Sequence, residues 1–233
     1  MNEFKEGFKN GIPIALGYFP VSFSFGVLVV SSGLPLGLAT LISITNLTSS
    51  GQFAGVSLML QKAIYFETAL TLLMINARYF LMSLSLSQKI DKTMSTLQRM
   101  IISFGITDET FSLASLKEGA LTFKYMLGFI CSPILGWVLG TLFGEILLNF
   151  LPVSLQNALG IALYGMFLAI IIPVARKERP VLEVVLIAAL TMCALTYISL
   201  FSFITSGMKL IISTLLAAIY GALRYPRQEE QYE

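Results

Sequence analysis

Residues 43–55 read SITNLTSSGQFAG and lie inside a run that carries no charge. No Asp, Glu, Lys or Arg occurs from Asn10 through Gln61, a stretch of 52 residues. At about 1.5 Å of helical rise per residue it reaches well past one crossing of a hydrocarbon layer roughly 30 Å thick. Yet its middle holds Ser43, Thr45, Asn46, Thr48, Ser49, Ser50 and Gln52. Polar groups in hydrocarbon are costly unless paired, so these should face protein or a wet cavity. Ser49-Ser50-Gly51 is a place for a helix to break and restart. With Ser49 or Ser50 as cap, the N–H groups of Gly51, Gln52 and Phe53 would be left to meet an anion. The alternative is a continuous helix whose small polar residues pack on a neighbour.

Composition sets the class. Of 233 residues, 56% are hydrophobic and 12% charged, against about 25% charged in soluble domains. Mean hydropathy is +0.81. The fold class expected is all-α, a polytopic integral membrane helical bundle, with 1–233 forming a single transmembrane domain. No extramembrane stretch is long enough for a second domain. Histidine is absent, and Cys131 and Cys193 both lie in apolar runs. No catalytic residue, metal site or cofactor is therefore expected. Neither is a nucleic-acid partner. The N-terminus lacks a small-residue cleavage pattern.

Spans are expected at about 11–30, 36–60, 63–86, 125–148, 155–174, 182–203 and 207–223. Pro13 and Pro20 interrupt the first, and a kink is expected near Pro20. Arg78 has ten uncharged residues on either side, which places it near mid-membrane beside Asn76. A central guanidinium should line a cavity or pair with a carboxylate. The segment 100–116 is apolar apart from Asp108 and Glu109. It is too short for a standard span and reads as a buried helix or half-span. Its two acids are the candidates for pairing with Arg78 or taking up a proton; the alternative is that both face the surface. Glu145 reads as interfacial.

Two arrangements fit the charges. If the second and fourth segments both cross, there are eight crossings, with Lys and Arg divided ten inside to four outside. If the second is re-entrant and the fourth does not cross, there are six, divided twelve to two. Both place the N- and C-termini in the cytoplasm. The Arg99-Met-Ile-Ile-Ser run is echoed by Lys209-Leu-Ile-Ile-Ser, suggesting repeat halves 11–116 and 125–223. Gly136, Gly140 and Gly144 mark close helix packing. The chain has no GxxxxGK[ST] loop to bind ATP phosphates.

Several blocks recur in a known order: Gly11-x-Pro13 to Phe25-Gly26, Ser50 to Ala54, Asn76 to Ser83, Thr107 to Phe111, and Met166 to Pro173. Together they resemble the AzlC family of branched-chain amino acid permeases. Many relatives carry Asp and Pro where this chain has Gly160 and Tyr164, so no role is carried over for that acid. The resemblance implies export of leucine, isoleucine and valine across the cell membrane, with proton coupling by analogy. It also implies a small AzlD-type membrane subunit as partner.

On that basis the substrate carboxylate would meet the N–H groups of Gly51 to Phe53 and the guanidinium of Arg78. Asn46, Ser49, Ser50, Gln52 and Asn76 would orient the ligand, and Phe53 and Phe80 would receive its branched side chain. Asp108 or Glu109 would carry the proton. The other readings are a non-transporting scaffold or sensor subunit, and a channel for a small neutral solute.

Overall fold

The computed structural model describes residues 2–150, 152, 154, 168 and 171–225. Its long elements are helices: α1 (Glu3–Ser31), α2 (Leu38–Thr45), α3 (Ser49–Leu60), α4 (Tyr65–Ser87), α5 (Thr96–Ser103), α6 (Asp108–Leu116), α7 (Phe123–Leu147), α8 (Arg179–Tyr197) and α9 (Ser206–Arg224). Five of them, α1, α4, α7, α8 and α9, are long and apolar enough to cross a membrane. The span expected at 155–174 lies mostly outside the described residues. The chain divides into two compact units, Met1–Leu60 with Ile75–Leu163, and Gln61–Met74 with Tyr164–Glu233.

The first unit is built on α1 and α7. A Cβ on Gly128 would strike the backbone of Phe4, one on Gly136 that of Ala15, and one on Gly144 that of Phe23. Both sets of numbers rise together, so the two helices run parallel. Lipid tails are as apolar as leucine, so burying oily side chains does little to hold helices together in a bilayer. Close backbone approach across small residues does that instead. The glycine spacing read from the sequence has that use. α1 continues unbroken through Pro13 and Pro20.

α2 and α3 are 8 and 12 residues long, about 12 and 18 Å, too short to cross singly. α2 begins beside Glu145, near the end of α7, and descends until Ser43 meets Thr141 at 2.8 Å. α3 then turns back. Gln52 bonds Trp137, Phe53 packs on Phe25, and Val56 joins Val29 and Ala39 in one core cluster. The second segment is therefore a re-entrant hairpin, entered from the end of the unit where α1 stops.

α5 and α6 form a second hairpin from the opposite end. The chain before α5 is tied to the start of α7, where the Asp91 N–H donates to the Leu121 carbonyl at 3.1 Å. Gly105 packs against Ile130, and Thr107 reaches Tyr18 halfway along α1. α6 then returns until Lys117 stands 3.5 Å from Glu6 and Lys89 donates to the Ser115 carbonyl. Parallel α1 and α7 require an odd number of crossings between them. With both hairpins returning, α4 supplies the single crossing. The arrangement in which the second and fourth segments both cross is not formed.

Glu145, expected at the membrane interface, lies near the end of α7 but is covered by protein. It is 3% exposed and caps the N-terminus of α2. Its carboxylate accepts the N–H groups of Gly37 (3.1 Å) and Ala39 (2.9 Å) and the hydroxyl of Thr40. Gly37, with φ of 85°, supplies the left-handed backbone that lets its N–H point there.

In the second unit α8 and α9 form an antiparallel pair. Tyr220 donates to Glu183 at 2.7 Å, and Gly221 packs on Val184. Glu67 accepts the Gly207 N–H at the start of α9 at 3.1 Å.

Candidate functional site

The tips of the two hairpins meet midway along α1 and α7. At the first tip the Asn46 side chain makes the turn, its Oδ1 accepting both the N–H (3.2 Å) and the hydroxyl (2.9 Å) of Thr48. The Thr48 carbonyl then accepts the Gln52 N–H at 2.8 Å and starts α3. The helix thus opens one residue earlier than the sequence suggested. The N–H of Gln52 is engaged, and those of Ser49, Ser50 and Gly51 are free of protein partners among the described residues. Gly51 is buried, and its Cβ position lies 3.2 Å from both polar atoms of the Asn76 amide.

At the second tip Thr107 caps α6, exchanging hydrogen bonds with Thr110. Asp108 and Glu109 occupy the first turn, where the partial positive charge of the helix start favours acids. Tyr18 Oη lies 2.5 Å from both Thr107 Oγ1 and Glu109 Oε2.

Arg78 joins the tips. Its Nη1 stands 2.7 Å from Asp108 Oδ2. Its Nη2 donates to Ser50 Oγ at 3.3 Å and to the Tyr79 hydroxyl at 3.4 Å. Of the two candidate acids, Asp108 is the one that pairs with it. The pair is 41% and 47% exposed, so this chain covers only about half of it. Two buried polar atoms nearby have no partner among the described residues: Arg78 Nε, a donor, and Asn76 Oδ1, an acceptor.

Ser50, Gly51, Asn76, Arg78 and Asp108 are therefore brought together, with Ser49 adjoining. Other candidates are not. Gln52 is 2% exposed and both ends of its amide are used inside the protein. It donates to Ser43 Oγ at 2.9 Å and accepts from Trp137 Nε1 at 3.0 Å. Phe53 lies in the hairpin core, 5.1 Å from the Phe25 ring. Phe80 is 72% exposed. Sequence reasoning missed Tyr18 and Trp137. The signal available was slight: each is a lone polar-tipped residue in an apolar span, which reads as packing.

Residues 13–151 match the family model described as AzlC protein. The chain is 26% identical over 227 residues to the inner membrane protein YgaZ of Escherichia coli (strain K12), covering 94% of this chain and 91% of the relative. It is 24% identical over 237 residues to the branched-chain amino acid transport protein AzlC of Bacillus subtilis (strain 168), covering 98% and 88%. An uncharacterized membrane protein of Archaeoglobus fulgidus is 27% identical over 172 residues, covering 73% and 75%. No solved structure matches. The matched segment contains most of α1, both hairpins and α7, which is the framework that carries Arg78 between its two tips. This polytopic helical membrane protein belongs to the AzlC family.

Proposed function

We propose that the protein is a secondary transporter subunit that exports branched-chain amino acids across the cytoplasmic membrane, coupled to protons. The observation that carries this reading is the Arg78 guanidinium, held between Ser50 at the start of α3 and Asp108 at the start of α6. A zwitterion needs a cationic and an anionic group a few ångströms apart. Arg78 and the free N–H groups of Ser49 to Gly51 suit its carboxylate, and Asp108 with Asn76 Oδ1 suits its ammonium. The name of the Bacillus subtilis relative supports the substrate class. An apolar side chain would gain about 0.8 kcal/mol per buried methylene, enough to favour leucine over alanine.

Asp108 or Glu109 serves as the proton-linked carboxylate. Lys5, Lys9, Lys89, Lys92, Lys117 and Lys124 gather at the end of the first unit where α1 begins, which orients that end to the cytoplasm. A small AzlD-type subunit completes the transporter. The test is efflux of labelled leucine from cells expressing this chain with and without the small subunit. Efflux at the wild-type rate from a correctly assembled Arg78→Ala variant removes the reading.

A further inference from the structure

Tyr18 stands outside the proposed binding cluster, yet it touches the second hairpin directly and is linked to the first through Trp137. Its hydroxyl meets Thr107 and Glu109 at the second tip. Its ring packs edge-on against Trp137, with centroids 5.3 Å apart at 80°. The Trp137 indole N–H in turn holds the Gln52 side chain beside the first tip. Tyr18 is 8% exposed and Trp137 2%, so both rings sit in packed surroundings.

We propose that Glu109, and not Asp108, gains and loses the transported proton, and that Tyr18 passes its charge state to both hairpin tips. This rests on the transporter reading above and adds the group that couples it to the proton. Asp108 has its charge matched by Arg78 at 2.7 Å. Among the described residues no lysine or arginine pairs with Glu109. Among the described residues the ionisable groups around it are Tyr18 on α1, Tyr79 on α4 and Asp108 beside it, with Arg78 of α4 against the last two. α3 and the 132–144 part of α7 bring none.

The chain of hydroxyls has two polarities. With Glu109 ionised, the carboxylate can only accept, so Tyr18 O–H donates to Oε2 and Thr107 O–H donates to Tyr18 Oη. When a proton from water binds Glu109, its new O–H donates to Tyr18 Oη. Tyr18 then turns its own proton to Thr107 Oγ1. One proton is gained, no other bond to hydrogen is broken, and the Thr107 hydroxyl that caps α6 changes from donor to acceptor. The lost carboxylate charge and the reversed hydroxyl dipole change the field at the Trp137 indole, which packs on the Tyr18 ring and holds Gln52.

Trp137 is the one tryptophan in the sequence, so its fluorescence reports on this chain of contacts. The experiment follows that fluorescence in purified full-length protein from about pH 4 to 9. One transition is expected in the wild type and in Asp108→Asn, and none in Glu109→Gln. Tyr18→Phe keeps the ring but removes the donor to the ionised carboxylate, so its midpoint is expected about one pH unit higher. Accumulation of leucine driven by a pH gradient is expected to be lost in Glu109→Gln. A transition that persists in Glu109→Gln overturns the proposal, as does an unmoved midpoint in Tyr18→Phe or a transition lost in Asp108→Asn. The titration needs no solute. An intact transition with no leucine efflux would leave the proton site standing and remove the transporter reading alone.

Discussion

Arg78 Nη1 lies 2.7 Å from Asp108 Oδ2, and Nη2 of the same guanidinium lies 3.3 Å from Ser50 Oγ. One side chain from the middle of a continuous helix thus touches the starts of two helices whose hairpins enter from opposite ends. Both partners of the ion pair are nearly half exposed, and in the water-filled cavity of the proposed transporter a pair so exposed contributes only about 0–1 kcal/mol to stability. Arg78→Ala is therefore expected to shift unfolding by no more than about 1 kcal/mol. Leucine efflux is expected to fall at least about tenfold, through loss of a charge-assisted hydrogen bond. Thermal unfolding in detergent and efflux, measured on one preparation, separate the two effects.

The Glu145 carboxylate is a different case, because it is buried and, among the described residues, its bonds are to the first turn of α2 and the residue that opens it. Glu145→Ala leaves the N–H groups of Gly37 and Ala39 without an acceptor in an apolar setting. A loss of about 2–4 kcal/mol is expected from the missing cap and the stranded donors. A cysteine placed at Thr40 should react faster with a soluble maleimide in that background than in the wild type. Equal rates would mean that the hairpin is held by other contacts.

Glycines in the α1–α7 seam allow a comparison at fixed chemistry. A Cβ at Gly144 would collide with the Phe23 carbonyl, which is backbone and cannot rotate away. A Cβ at Gly17, in the middle of α1, meets nothing within 4 Å. Gly144→Ala is expected to destabilise by about 1–3 kcal/mol or to prevent assembly. Gly17→Ala is expected to be neutral or slightly stabilising, since alanine is the better helix former. Unfolding temperatures of the two variants check this directly.

The sequence made some of this legible for physical reasons. A polar cluster in an uncharged run marks a helix break, and the break falls at residues 46–48, one residue ahead of the expected cap. A lone arginine amid apolar residues demands a carboxylate, and Asp108 was one of the two acids that the apolar segment 100–116 offered. Other features depend on contacts that no local pattern encodes. Glu145 reads as interfacial because it sits near the end of an apolar run, while its partner Ala39 is 106 positions away. Gln52 reads as a ligand group until Trp137 and Ser43 are seen to occupy its amide. Periodicity gives the lengths of α2 and α3 but not the direction in which the second of them travels.

That direction has a consequence that labelling can read. If α3 climbs back to the end where α1 stops, Leu60 and Lys92 lie on opposite sides of the membrane, with Leu60 outside. If the second segment crossed, Leu60 would lie in the cytoplasm and Lys92 outside. Leu60 is 43% exposed and Lys92 is also exposed, so cysteines at either position are reachable once Cys131 and Cys193 have been replaced by serine. Leu60→Cys in intact cells is expected to react with a membrane-impermeant maleimide. Lys92→Cys is expected to react only after permeabilisation, because the bond from the Asp91 N–H to the Leu121 carbonyl ties it to the lysine-rich end of the unit. The reverse pattern would overturn either the proposed orientation or the two hairpins; a cysteine at Asn2, reached only after permeabilisation, would leave crossing of both short helix pairs as the explanation.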